Sequence, residues 1–233
     1  MRFRAIVGSF ACLAFAASVA SADILDDFNR PNGPVGANWQ ILRGAFRVEN
    51  NHGRGAVGQT FAEMTWVGPQ WDKDYFDTVG ELDVFMTQPA LNYSGPRLGI
   101  GAGEMMIKIQ GQVAPYDKFS HIGFYYRLGA GSYGAWPGGA GFVALTQTFA
   151  AAHLTTYFKA PDKDRLYVDF DTDFNGTPEF TMSSPGVLGI AANLGKGVGI
   201  AAYADADFDN FKITPEPTSL LMALAGLVLI RRR

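Results

Sequence analysis

Two short stretches place oxygen-bearing side chains at spacings that can do chemistry. The first is Asp171-Thr172-Asp173-Phe174-Asn175-Gly176. Asp171, Asp173 and Asn175, followed by glycine, match the opening of a calcium loop, where hard oxygen ligands at alternate positions wrap a hard cation. The twelfth position, a bidentate Glu in a helix-loop-helix site, is Met182 here. The same residues also read as a hairpin turn, since Asn175-Gly176 alone signals one. The second stretch is Gly80-Glu81-Leu82-Asp83-Val84-Phe85-Met86. Alternate residues of a strand share a face, so Glu81 and Asp83 point the same way. They either line a cleft or stand hydrogen-bonded on a sheet face.

Sugar rings present apolar C–H faces that stack on Trp or Tyr. Tyr133 and Trp136 lie in the glycine-rich segment 129–141 and are the candidates for that role. Trp66 and Trp71 fall in loops or near strand ends. His52, His121 and His153 are far apart and match no metal-ligand spacing. No Gly-x-Ser-x-Gly, phosphate loop or dinucleotide fingerprint occurs.

The elements that must position these residues read as strands. Glycine is abundant, with 28 residues, and long helical periodicity is scarce. Short alternating segments are broken by Gly, Pro, Asn and Asp, which predicts an all-β sandwich or barrel. Strands are expected over 23–28, 59–66, 78–86, 97–109, 121–128, 142–149, 153–158, 187–192, 198–204 and 208–213, with a further short one around Phe46 and Val48. Leu166, Val168 and Phe170 alternate with Tyr167, Asp169 and Asp171, as in a strand half facing water. Residues 29–38 must be a loop. Residues 50–55 read as a turn, 150–152 as a strand end or a short helical turn, and Gly99-Ile100-Gly101-Ala102-Gly103 as part of the 97–109 strand.

Two resemblances attach to these residues. The stretch around Glu81 and Asp83 resembles part of the Glu-x-Asp-x-x-Glu strand of retaining laminarinase-type glycoside hydrolases. Such a mechanism needs a nucleophile and a separate acid/base about 5 Å apart. The acid/base position is Met86 here, so Glu81 lacks the motif's partner. The opening Asp26-Asp27-Phe28-Asn29-Arg30-Pro31-Asn32-Gly33 with Trp39, and the closing Asp207-Phe208-Asp209-Asn210-Phe211-Lys212-Ile213, resemble the end strands of concanavalin A-like (laminin G-like) jelly rolls. That resemblance implies two packed antiparallel sheets with the first and last strands close together. It also implies a second calcium position near Asp27 and Asp209.

The two ends of the chain carry addresses. Residues 1–22 have Arg2 and Arg4, an apolar stretch from Ala5 to Ala17, and Ala20-Ser21-Ala22 before Asp23, as a signal peptide does. Residues 214–233 run from Thr214, Pro215, Glu216 and Pro217 through an unbroken apolar segment, Leu220 to Ile230, to Arg231, Arg232 and Arg233. Eleven residues rise only about 17 Å as a helix against a hydrocarbon core of about 30 Å, which suits a temporary membrane anchor. Three arginines resist crossing. This tail resembles the PEP-CTERM sorting signal of Gram-negative bacteria. The resemblance implies an exosortase-type membrane enzyme as partner, tail removal, and delivery to the cell surface or the exopolysaccharide matrix.

Between the addresses lie 191 residues, Asp23 to Ile213, enough for one domain. The only cysteine, Cys12, is in the signal, so the mature chain has neither disulfides nor thiol chemistry. The domain keeps 14 Lys and Arg against 21 Asp and Glu, a net charge near −7. That disfavours nucleic acid, which needs a basic footprint, and is compatible with calcium and sugars. The leading expectation is a non-catalytic polysaccharide-binding or structural module, with a glycoside hydrolase using Glu81 and Asp83 as the alternative. Cleavage after Ala22 is testable: N-terminal sequencing of the exported protein should read Asp23 first, and a chain still beginning at Met1 would refute it.

Overall fold

The computed structural model describes residues 24–57, 61–68, 74–87, 93–128, 134–135, 141–159, 165–186, 193–203 and 205–215. The signal segment, the tail from Glu216 onward, the 187–192 strand, and Trp71, Tyr133 and Trp136 lie outside these residues. The strands in chain order are β1 (Ile24–Asp26), β2 (Trp39–Arg43), β3 (Phe46–Glu49), β4 (His52–Gly55) and β5 (Phe61–Trp66). There follow β6 (Thr78–Phe85), β7 (Tyr93–Ile100), β8 (Gly103–Gln110), β9 (Phe119–Leu128), β10 (Gly134–Ala135) and β11 (Phe142–Phe149). The last five are β12 (Ala151–Phe158), β13 (Leu166–Asp171), β14 (Phe180–Ser183), β15 (Gly197–Tyr203) and β16 (Ala206–Pro215).

They form two antiparallel sheets of eight strands. Sheet A has the order β14-β13-β12-β6-β16-β4-β3, with β1 also paired to β16. Sheet B has the order β10-β9-β8-β7-β15-β5-β2, with β11 also paired to β9. Among the described residues no helix is long and apolar enough to cross a membrane. The core between the sheets follows from the period of two. β12 alternates strictly, with Ala152, Leu154, Thr156 and Phe158 inward. Leu82 and Val84 of β6, and Leu166, Val168 and Phe170 of β13, join them from the same sheet. Met105, Ile107 and Ile109 of β8 come from the other.

The expected closeness of the chain ends is present: Ile24 pairs with Ile213 and Asp26 with Phe211. The opening motif explains itself as a staple. Asp26 accepts from Phe28 N at 2.9 Å, from both Arg30 Nη atoms at 2.7 and 3.0 Å, and from Trp39 Nε1 at 2.6 Å. Trp39 thereby lies edge-on to Trp66 and Phe211, with ring centroids 5.2 and 5.0 Å away.

Two sequence expectations need correction, and a third, left open between strand end and helical turn, resolves as strand. The stretch 97–109 is a hairpin and not one strand: β7 and β8 pair through Arg97–Met106 and Leu98–Met105. Its turn lies at Gly101 and Ala102, because small residues let the chain reverse where alternation alone suggests continuity. Residues 50–55 are not all turn. Asn50 and Asn51 both have positive φ, 55° and 63°, the two-residue hairpin that twists with its strands, and β4 starts directly at His52. Ala151 and Ala152 begin β12 and are not helical.

Candidate functional site

On β6 the outward side chains are Glu81, Asp83 and Phe85, since Leu82 and Val84 face the core. Glu81 and Asp83 therefore share a face, and both are held by neighbouring strands. His153 of β12 stands opposite Asp83, with Nδ1 2.6 Å from Asp83 Oδ1 and Nε2 3.5 Å from Glu81 Oε2. From β16, Lys212 Nζ donates to the two Glu81 oxygens at 3.1 and 3.3 Å. Asn210 Nδ2 donates to Asp83 Oδ2 at 2.7 Å. Asn210 reaches this position at a bulge, where φ is 49° and the β16–β6 register shifts between Asp209 and Lys212.

The electrostatics follow. Hydrogen bonds to Asp83 and then Glu81 raise His153 to about 9 against the opposing cost of burial. Burial works to raise Glu81, but His153 and Lys212 outweigh it and the carboxyl sits below its ordinary range. A carboxylate held between two cations stabilises charge and does not donate protons. Met86, at the motif's acid/base position, packs against the core.

The metal candidates converge with one addition. The β13–β14 hairpin brings ligand oxygens of Asp171, Asp173 and Glu179 within 4.8 Å of one another. Asn175 N donates to Asp171 Oδ1 at 3.1 Å and Gly176 N to Asp171 Oδ2 at 2.7 Å. Burial works to raise the Asp171 carboxyl, but the N–H groups of Gly176 and Asn175, together with hydrogen bonds involving Asp173 and Phe174, lower it on balance. Asn175 Nδ2 donates to Asp173 Oδ2 at 2.9 Å, so its amide sits in the same loop. Glu179 was missed in the sequence. It holds the ninth position of the loop, whereas attention to the twelfth leads to Met182, which pairs with Val168 in β14 and packs on the core. The donor set is all hard oxygen and could hold a metal ion.

At the other expected cation position, Asp27 is exposed and accepts from Asn29 N at 3.1 Å. Asp209 lies opposite Asp83 in register. Burial raises its carboxyl, Asp83 and Asp27 add to the rise, and Oδ1 is buried without a hydrogen bond.

A second polar assembly was not anticipated. All eight residues of β8 are buried. Met105, Ile107 and Ile109 enter the main core, so Glu104, Met106, Lys108 and Gln110 lie on the outer face of sheet B. There Arg97 of β7, wholly buried, donates to Met64 O at 3.1 Å and to Glu104 Oε2. Arg127 of β9 pairs with Glu104 Oε1 and also with Glu63 of β5, at 3.0 and 3.2 Å. β9 and β5 are separated by three strands. On a flat sheet their backbones would stand roughly 19 Å apart, and an arginine and a glutamate joined by a hydrogen bond span at most about 15 Å. Sheet B therefore curves toward this face. Lys108 Nζ donates to Tyr203 OH at 2.6 Å and lies 4.0 and 4.1 Å from the ring centroids of Tyr125 and Tyr203. Burial pulls the Lys108 ammonium down to about 8, partly opposed by Glu63. The only hint in the sequence was the polar-apolar alternation Glu104-Met105-Met106-Ile107-Lys108-Ile109-Gln110.

Two face-packed antiparallel sheets with joined end strands define a concanavalin A-like jelly-roll β-sandwich. A solved structure bears this out at the level of fold. A mutant of the GH43 protein BlXynB from Bacillus licheniformis aligns at 13% identity, TM-score 0.51, over 82% of this chain and 39% of its own. A glycosyl hydrolase family protein from Mycobacterium fortuitum aligns at 13% identity, TM-score 0.47, over 82% and 98%. The VIP36 exoplasmic/lumenal domain, in a Ca2+/Man3GlcNAc-bound form, aligns at 12% identity, TM-score 0.46, over 76% and 82%. No family model and no curated protein matches the chain.

The β6–β12 clamp has a pH signature. His153 is raised in the folded state, so its stabilisation is complete below about 6.5, its value in the unfolded chain, and is lost as pH rises through about 9. Urea unfolding of the protein and of His153→Gln across this range should show a gap in midpoint that closes with rising pH. A gap independent of pH would refute the clamp.

Proposed function

We propose that this protein is an exported, non-catalytic glycan-binding module of the cell surface or exopolysaccharide matrix, delivered by its signal peptide and PEP-type tail. The carrying observation is the state of Glu81 and Asp83. The hydrolase-like strand keeps its carboxylates, but His153, Lys212 and Asn210 hold them as a cross-strand clamp and Met86 stands where an acid is needed. Calcium at Asp171, Asp173, Asn175 and Glu179 is part of this reading, because hard oxygen ligands in a pre-turned loop suit that ion. The VIP36 domain, bound to calcium and glycan, is in keeping with it. In this reading the tail serves delivery through an exosortase-type enzyme at the membrane, and the folded domain acts outside the cell. Pro215, the first residue of the Pro215-Glu216-Pro217 motif, lies in β16.

A glycan array probed with residues 23–215 should show binding to at least one polysaccharide. Calcium in excess should raise the melting midpoint relative to chelator, as for any ligand held only by the native state. Uniform absence of glycan binding in both conditions would leave a purely structural role.

One observation favours the alternative, a glycoside hydrolase. Asp209 lies opposite Asp83 with Oδ1 buried and without a hydrogen bond, and burial raises its carboxyl, the direction a general acid needs. Polysaccharide turnover by the protein, by Glu81→Gln and by Asp209→Asn decides between the readings. The binding reading expects no turnover in any of the three. Turnover in the unaltered protein that both substitutions abolish would establish the enzyme.

A further inference from the structure

Sheet B's outer face differs in charge from the rest of the domain. The mature chain carries about seven more acidic than basic residues. On this face, among the described residues, Arg43, Arg97, Lys108 and Arg127 stand with Glu63 and Glu104. Sheet A's outer face carries more acids, among them Glu49, Glu81, Asp83, Asp169, Asp171 and Asp207, set against Arg47, Arg54, Lys212 and His153. Among the described residues the outer face of sheet A is the more acidic and that of sheet B the more basic, and the basic one is concave.

That face also carries an apolar cluster of its own, apart from the main core. Phe61, Met106 and Ala201 are buried together, with Tyr125 and Tyr203 packed against them. Phe61 stacks obliquely on Tyr203, with centroids 4.5 Å apart, and Arg43 lies 5.2 Å over the Phe61 ring. The cations are fixed before any ligand arrives. Glu63 and Glu104 set the Arg127 fork, and the Tyr203 hydroxyl and two ring faces set the Lys108 ammonium. Arg127 and the exposed Arg43 give the face a reachable basic rim.

We propose that the concave outer face of sheet B binds a carboxylate-bearing polysaccharide, its acid groups drawn to Lys108, Arg127 and Arg43 and its sugar rings packed on Tyr125, Tyr203 and Phe61. The proposal rests on the glycan reading above and names its ligand class. Aromatic walls suit the C–H faces of sugar rings. Pre-set guanidinium and ammonium groups suit carboxylates, through charge-assisted hydrogen bonds made without new ordering. The acidic face of sheet A repels the same polymer, so the ligand meets the domain in one orientation.

Calorimetric titration with oligogalacturonate, and with a neutral glucan of equal length, tests it. The acidic oligomer should bind more tightly, and its affinity should fall as salt rises. Lys108→Met should weaken it about tenfold or more. Arg43→Gln, an exposed change that leaves the core alone, should weaken it a few-fold, and thermal melting of both variants checks that they fold. Equal affinity for the neutral glucan, or acidic binding unchanged in both folded variants, would overturn the ligand class or the site while the glycan reading stands. Absence of binding to either oligomer and to every sugar on the array would remove the glycan reading and this proposal together.

Discussion

The curvature of sheet B is tied to a network of buried charges that reaches from β5 to β9. Arg97 is enclosed in the sandwich wall between Glu104 and the Met64 carbonyl, and Arg127 continues the chain of charges to Glu63. Charges out of water cost several kcal/mol each unless paired and hydrogen-bonded, so removing one member strands another. The network therefore acts as a geometric constraint more than a source of stability. It ties β5, β7, β8 and β9, and it tolerates only the curvature at which Arg127 meets Glu63. Gly199, on the intervening β15, belongs to the same constraint. A Cβ there would lie 2.3 Å from Met64 O, the carbonyl that Arg97 uses.

Sheet A solves a different problem with similar parts. Its outer residues face water, and pairs across three strands hold them: His153 from β12, Glu81 and Asp83 from β6, Lys212 and Asn210 from β16. These pairs are partly buried, with Asp83 among the buried polar residues, and they fix register, because a one-residue slip of β12 would send His153 into the core. The hairpin with Asp171, Asp173 and Glu179 lies toward the sheet's edge, where β14 is the last strand. A cation there would bridge the two arms of the hairpin that forms this edge.

The sequence was most legible where the physics is local. Alternation exposed the inward faces of β12 and β13, and the end motifs pointed to paired terminal strands. Those motifs proved to be staples: Asp26 gathers Phe28, Arg30 and Trp39 into one corner. Legibility failed where contacts are long-range or the turn residues are small. The β7–β8 hairpin hid in a run of apolar residues and glycines, and β4 hid behind two asparagines. Glu63, Arg97, Glu104 and Arg127 span 65 positions in sequence, and no spacing rule could have gathered them.

The two acidic clusters of the sandwich also show why a carboxylate pattern on a strand does not identify a hydrolase. Acid catalysis needs a carboxyl that keeps its proton near neutrality, and burial without a cation supplies that. Glu81 is pushed the other way by His153 and Lys212. The raised carboxyls are Asp207 and Asp209, both on β16. Asp207 is partly relieved by His52, 3.0 Å away. Asp209 keeps a buried oxygen without a hydrogen bond, and its acidic neighbours raise it further. On sheet A the direction that an acid needs is found at Asp209 and not at Glu81. That strand's resemblance to a catalytic one lies in which residues face outward, and its neighbours decide what those residues can do.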